Sequence, residues 1–164
     1  MHPVEVANIL VESGLKELHS EQDWQTLLQA AILHDVLEDT DCTAGDLEWT
    51  FNYPVANIVR ELTDPPGVKG EAKRKSQVAR MEKASFAARV IKVADKTSNL
   101  RDLIRIPPNW KPESFLGYSR TAYAVVKAAD HRDIPASLKR AYWQAHTEFG
   151  AWCDEQEMEK RNHD

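Results

Sequence analysis

Apolar positions recur along the chain at three- and four-residue spacing, the period of one helix face, in almost every segment. Val4, Ala7, Ile9, Leu10 and Leu15 form a first stripe, opened by Pro3 and stopped near Gly14. Trp24, Leu27, Leu28, Ala31 and Ile32 predict a second helix over roughly 22–37. Thr43 followed by Asp46 resembles a capping box, so a short helix carrying Leu47, Trp49 and Phe51 should open there. The stripe Val55, Ile58, Val59 and Leu62 ends at Asp64-Pro65-Pro66-Gly67. A basic helix is expected near 71–83 and another over about 85–104, with Phe86, Val90, Val93, Leu100 and Leu103 on its apolar face. Pro107-Pro108-Asn109-Trp110 interrupts the chain, and Pro112 starts a helix with Phe115, Tyr118, Ala122, Val125 and Val126. Ile134-Pro135 opens the last, with Leu138, Tyr142, Ala145, Phe149 and Trp152. No segment alternates with period two for long enough to argue a sheet, and neither repeats nor low complexity occur. The fold class expected is all-α, a bundle of about eight helices.

Composition narrows the class. At 164 residues, 42% of them hydrophobic and 29% charged, the chain suits one globular domain over 1–164 and excludes disorder. The longest apolar runs are too short to span a bilayer, and the N-terminal residues lack the pattern of a secretory signal. Two cysteines, Cys42 and Cys153, make no disulfide framework, so a reduced, cytoplasmic setting is expected. The net charge of −5 argues against a nucleic-acid binder and hides an asymmetry. Residues 66–105 hold eleven basic side chains against four acids, a local +7 that leaves −12 for the remainder. A solvated charged face explains such a segment as readily as a phosphate-rich ligand held where basic and acidic segments meet. The oligomeric state, monomer or homo-oligomer, stays open.

The chemistry concentrates in His34-Asp35-Val36-Leu37-Glu38-Asp39, directly after the apolar Ala30-Ala31-Ile32-Leu33. On a continuous helix His34 would share a face with Glu38, and Asp35 with Asp39, while acids in a last turn would oppose the helix dipole. Singly, each residue has a plain reading: a satisfied core histidine, a pair of turn aspartates. Together they call for positive charge, and a divalent cation supplies it economically. Such an ion needs further ligands, and two candidates stand out. His2 precedes Pro3 at the mouth of the first helix, and Asp95 lies in Ile91-Lys92-Val93-Ala94-Asp95, where an ion pair with Lys92 or Arg89 is the competing reading. His19, His131, His146 and His163 have no comparable carboxylate company and read as surface or packing residues.

These residues resemble the HD-domain metal-dependent phosphohydrolases. His2-Pro3, the segment Ala31 to Thr40, Leu62-Thr63-Asp64 and the segment Lys92 to Leu103 are similar to the hydrolase domain of the RelA/SpoT group. The likeness is closest to its small alarmone hydrolases, the metazoan SpoT homologue among them. It implies one Mn²⁺ held by His2, His34, Asp35 and Asp95, with Glu38 and Asp39 positioning and activating the attacking water. Asn99 and Tyr118 would meet the nucleotide, and Lys69, Arg74 and Lys96 its phosphates. The implied reaction removes the 3′-pyrophosphate from the guanine alarmones ppGpp and pppGpp, with no nucleic acid or membrane as partner.

One departure accompanies the likeness. The family places a helix with an Arg-Lys pair upstream of the His-Pro, whereas only Met1 precedes His2 here, so that substrate-binding helix is expected to be missing and metal binding weaker for it. Two other readings compete: another HD nucleotide phosphohydrolase, acting on NADPH, deoxynucleotides or cyclic dinucleotides, and a catalytically weak nucleotide-binding module. A plain helical scaffold leaves Asp95 and the His34 to Asp39 cluster unexplained.

Overall fold

The computed structural model describes residues 2–161, which form an all-α bundle as the periodicity predicts. In chain order the helices are α1 (His2–Glu12), α2 (Glu21–Ile32), α3 (Val36–Asp39), α4 (Ala44–Thr50), α5 (Tyr53–Leu62), α6 (Gly70–Met81), α7 (Phe86–Arg105), α8 (Pro112–Ala129) and α9 (Ala136–Arg161), with a 3-10 turn at Leu15–Leu18. His163 lies outside the described residues. Among them, no helix is long and apolar enough to cross a membrane.

Local chemistry sets the boundaries. Gly14 takes a left-handed conformation (φ 74°) that a side chain would resist, and the first helix ends just before it. The capping box forms as expected: the Thr43 N–H donates to Asp46 Oδ2 at 2.8 Å and the Asp46 N–H to Thr43 Oγ1 at 3.2 Å. Ser20, Asn52 and Ser85 cap α2, α5 and α7 in the same manner.

One expectation is corrected. The helix predicted over 22–37 is two helices, broken at Leu33-His34-Asp35. The His34 ring explains the break: its Nδ1 lies 2.7 Å from the Ala31 carbonyl, the group that Asp35 N–H would have used had the helix continued. Asp35 instead stands at the start of α3, a single turn that carries Glu38 and Asp39. The short helix α4 encloses Leu47, while Trp49 is 92% exposed and Phe51, just after it, lies at the surface.

Helix α7 is the axis of the bundle, packed against α1, α5, α8 and α9. It has no solvent face through its middle, since every residue from Ala88 to Ser98 is buried, charged ones included. The single apolar face expected for it is therefore an understatement. The buried charges on it find partners: Arg89 pairs with Asp133 Oδ2 at 2.6 Å, and Lys92 and Lys96 pair with Asp95. Such groups are tolerated inside only when paired and hydrogen-bonded.

Candidate metal centre and phosphate cleft

Three elements converge on Asp95. The first residue of α1, His2, places Nε2 3.2 Å from Asp95 Oδ1, and its Nδ1 is fixed by Ser98 Oγ at 2.9 Å. From the α2–α3 turn, His34 Nε2 lies 3.0 Å from Asp35 Oδ2 and 3.8 Å from Asp95 Oδ1. Asn99, one turn beyond Asp95, donates from Nδ2 to the same Oδ1 at 2.5 Å. On the far oxygen, Oδ2, sit Lys96 Nζ at 3.3 Å and Lys92 Nζ at 3.4 Å. The candidate ligand atoms of His2, His34 and Asp35 lie within 4.8 Å of one another, a spacing that fits a single cation between them.

The chemistry of His34 shows what that space requires. With Nδ1 next to a carbonyl, Nδ1 carries the donated proton and Nε2 offers a lone pair. That Nε2 is fully buried and meets neither carboxylate in hydrogen-bond geometry. A lone pair facing two carboxylates is repulsive until positive charge lies between them. A proton can supply it: burial pushes the imidazole down, but Asp35 and then Asp95 outweigh burial and raise it from 6.5 to about 9. A divalent cation supplies the same charge, and the imidazole and carboxylate donors fit one. Burial likewise pushes Asp95 up, yet Lys96 and Lys92, with His2 and His34, hold it well below the usual carboxylate range. Asp35 follows the same logic, burial being overcome by His34.

Next to this centre a cavity of about 650 Å³ opens between α6 and α8, its rim including Lys73, Arg74, Lys96, Trp110 and Tyr118. Lys96 belongs to both places, since its Nζ touches Asp95 and lies 5.6 Å from the centre of the Tyr118 ring. The Tyr118 hydroxyl is buried without a hydrogen-bond partner. Burial raises this phenol well above its ordinary range, and the charges of Asp95 and Asp35 raise it further, so the hydroxyl remains a donor. Trp110 also walls a smaller recess of about 390 Å³ with Pro107, Phe115, Trp152 and the polar Asn109. Cationic side chains on one wall and aromatic ones on the other suit a phosphorylated nucleoside.

The structure thus brings His2, His34, Asp35, Asp95 and Asn99 into one cluster and Arg74, Lys96 and Tyr118 around one cavity. Glu38 follows the cluster in sequence on α3, its Oε1 accepting the Asp64 N–H at 2.7 Å, and Asp39 is exposed next to it. Lys69 is the exposed residue before α6, next to Gly70 of the cavity lining but not part of that lining itself, and the Arg74 guanidinium is engaged by Glu71. Reading the sequence passed over Lys73, whose Nζ is 3.7 Å from Glu38 Oε2, and Ser98, which orients His2. Spacing carried a signal for both. Lys73 shares a stripe with Gln77 and Arg80, and Ser98 lies three residues beyond Asp95, on the same helix face.

Comparison with known proteins identifies the family. The profile of the HD domain matches residues 1–128. The guanosine-3′,5′-bis(diphosphate) 3′-pyrophosphohydrolase MESH1 of Homo sapiens is 35% identical over 147 residues, covering 87% of this chain and 78% of that protein. Its counterpart in Danio rerio is 36% identical over 150 residues, covering 91% and 79%. Among solved structures, one described as a metazoan ortholog of SpoT that hydrolyzes ppGpp superposes with a TM-score of 0.77 at 33% identity, covering 91% of this chain and 80% of that one.

Proposed function

This chain belongs to the HD-domain family of metal-dependent hydrolases, and from that premise we propose that it hydrolyses ppGpp and pppGpp to GDP or GTP and pyrophosphate, using Mn²⁺. The observation that carries the reading is the buried, unpartnered Nε2 of His34 facing Asp35 and Asp95 beside a cationic cleft. His2, His34, Asp35 and Asp95 would hold one ion; when bound, such an ion lowers the pKa of a coordinated water and neutralises phosphate charge.

The remaining work falls to the chain's own side chains. Water attacks the phosphorus joined to the ribose 3′ oxygen, that O–P bond breaks, and the 3′ oxygen leaves as a hydroxyl with pyrophosphate as the other product. Glu38 and Asp39 orient the water and take its proton, which then passes to the departing 3′ oxygen. Lys73, Arg74 and Lys96 line the cleft where the phosphates lie, and Lys96 links cleft and centre by its contact with Asp95. Tyr118 offers a hydroxyl with no internal partner, and Trp110 offers an aromatic face for the nucleoside. The unpaired state of Cys42 and Cys153 supports a reducing, cytoplasmic setting.

Product analysis tests the reading. With Mn²⁺ present, ppGpp should yield GDP and pyrophosphate in equal amounts, whereas orthophosphate from NADPH or from a deoxynucleotide, with ppGpp untouched, would assign the site to another phosphohydrolase. Binding of ppGpp without turnover would make it a binding module.

A further inference from the structure

Asp64 lies in the loop between α5 and α6, outside the metal centre, yet α3 and α6 meet through it. Its side chain, 6% exposed, takes three donors from one stripe of α6: Lys73 Nζ at 2.9 Å, Gln77 Nε2 at 2.6 Å and the Arg80 guanidinium. Its backbone N–H donates to Glu38 Oε1, and Lys73 Nζ closes the ring near Glu38 Oε2. Arg80 ties the same loop a second time by donating to the Thr63 carbonyl. Helix α6 also packs on α8, burying Met81 and resting Val78 against the core, while its basic stripe converges on this one carboxylate.

We propose that Asp64 is a positioning residue for hydrolysis: it fixes the Lys73 ammonium against Glu38 so that the base and a phosphate-binding cation keep one relative arrangement. The inference rests on the roles given above to Glu38 and to the cleft. Lys73 has its own reason to stay, since the hydrogen bond it donates to Asp64 is the main influence raising its ammonium above the ordinary lysine range. The Glu38 bond uses the Asp64 backbone N–H and not its side chain, so the effect of Asp64→Asn travels through Lys73.

Steady-state kinetics of the full chain with Mn²⁺ and ppGpp test it. Asp64→Asn is expected to lower kcat about 10- to 100-fold through lost positioning, with Mn²⁺ affinity unchanged. Lys73→Met should lose a similar factor, Lys73→Arg should recover most of it, and the Asp64→Asn/Lys73→Met pair should lose no more than either alone. A kcat for Asp64→Asn near the wild-type value, or losses that multiply in the double variant, overturns the proposal. Should Asp64→Asn fail to fold, equal kcat for Lys73→Met and wild type overturns it, and loss with recovery in Lys73→Arg supports it. Should wild type leave ppGpp intact, the functional reading falls by itself, and positioning is read by ¹⁵N NMR of Lys73 Nζ. Its titration should move down in Asp64→Asn; an unmoved titration overturns the proposal.

Discussion

The Nε2 of His2, at the start of the first helix, lies 3.2 Å from Oδ1 of Asp95, in the middle of the buried helix α7. This contact ties the beginning of the described chain to its core, and the carboxylate it uses is shared with His34, Lys92, Lys96 and Asn99. Asp95 is therefore structural as well as a candidate ligand. Replacing it by Ala leaves two lysines, each less than 10% exposed at the side chain, without a counter-charge. Urea unfolding in the presence of a chelator should show a loss of about 3 kcal/mol or more for Asp95→Ala, with Lys92→Met in the same background restoring part of it. A further loss on adding Lys92→Met would contradict this account.

Ser98 touches the centre only through His2. Its Oγ meets Nδ1 at 2.9 Å and thereby turns Nε2 toward Asp95. Ser98→Ala should leave the helical fold intact and weaken Mn²⁺ binding about 10-fold, the usual scale for an outer-shell partner of a ligating histidine. Calorimetric titration checks it, and unchanged affinity would mean that His2 needs no such support.

For Glu38, the amide of Glu38→Gln keeps an oxygen for the Asp64 N–H, so α3 stays anchored while the proton acceptor is gone. Mn²⁺ binding should persist and kcat should fall by a factor of about 10² to 10⁴. Retained turnover would transfer the role of base to the exposed Asp39, to be confirmed by the corresponding loss in Asp39→Asn.

The Asp64 network also makes an acid-sensitive hinge. Burial pushes its carboxyl up, but hydrogen bonds from Lys73 and Gln77 and the charges of Lys73 and Arg80 hold it below its ordinary value. A carboxyl with a lower pKa folded than unfolded contributes stability above the unfolded value, about pH 4, and loses it as pH falls through the folded one. Urea midpoints followed downward from neutral pH should therefore fall below about pH 4 in wild type and fall less steeply in Asp64→Asn, which starts from a lower plateau. Parallel acid limbs would contradict the assignment.

Much of this was legible in the sequence, for identifiable reasons. The all-α class followed from the three- and four-residue period, and the residue types of His34 to Asp39 already required compensating charge. The break after Ile32 was hidden because periodicity records apolar positions, whereas a single ring nitrogen competing for the Ala31 carbonyl decides the geometry. The Lys92–Asp95 pair was legible from the i, i+3 spacing, but burial all round α7 was hidden because the partner of Arg89, Asp133, lies 44 residues away in the chain. Lys73 was passed over in favour of Arg74 because both are basic neighbours. Only the fold shows that one faces Glu38 and the other Glu71.

Pyrophosphate release from a guanine alarmone is proposed to require a cation that His2, His34, Asp35 and Asp95 would hold. The most direct measurement is the initial rate of pyrophosphate release from ppGpp as Mn²⁺ is titrated into chelated protein, for wild type and Asp35→Asn. The account predicts no release under chelator, a rate that saturates at one ion per chain in wild type, and no recovery in Asp35→Asn. Release that persists under chelator, or an Asp35→Asn variant that recovers the wild-type rate at the same Mn²⁺ concentration, would contradict it.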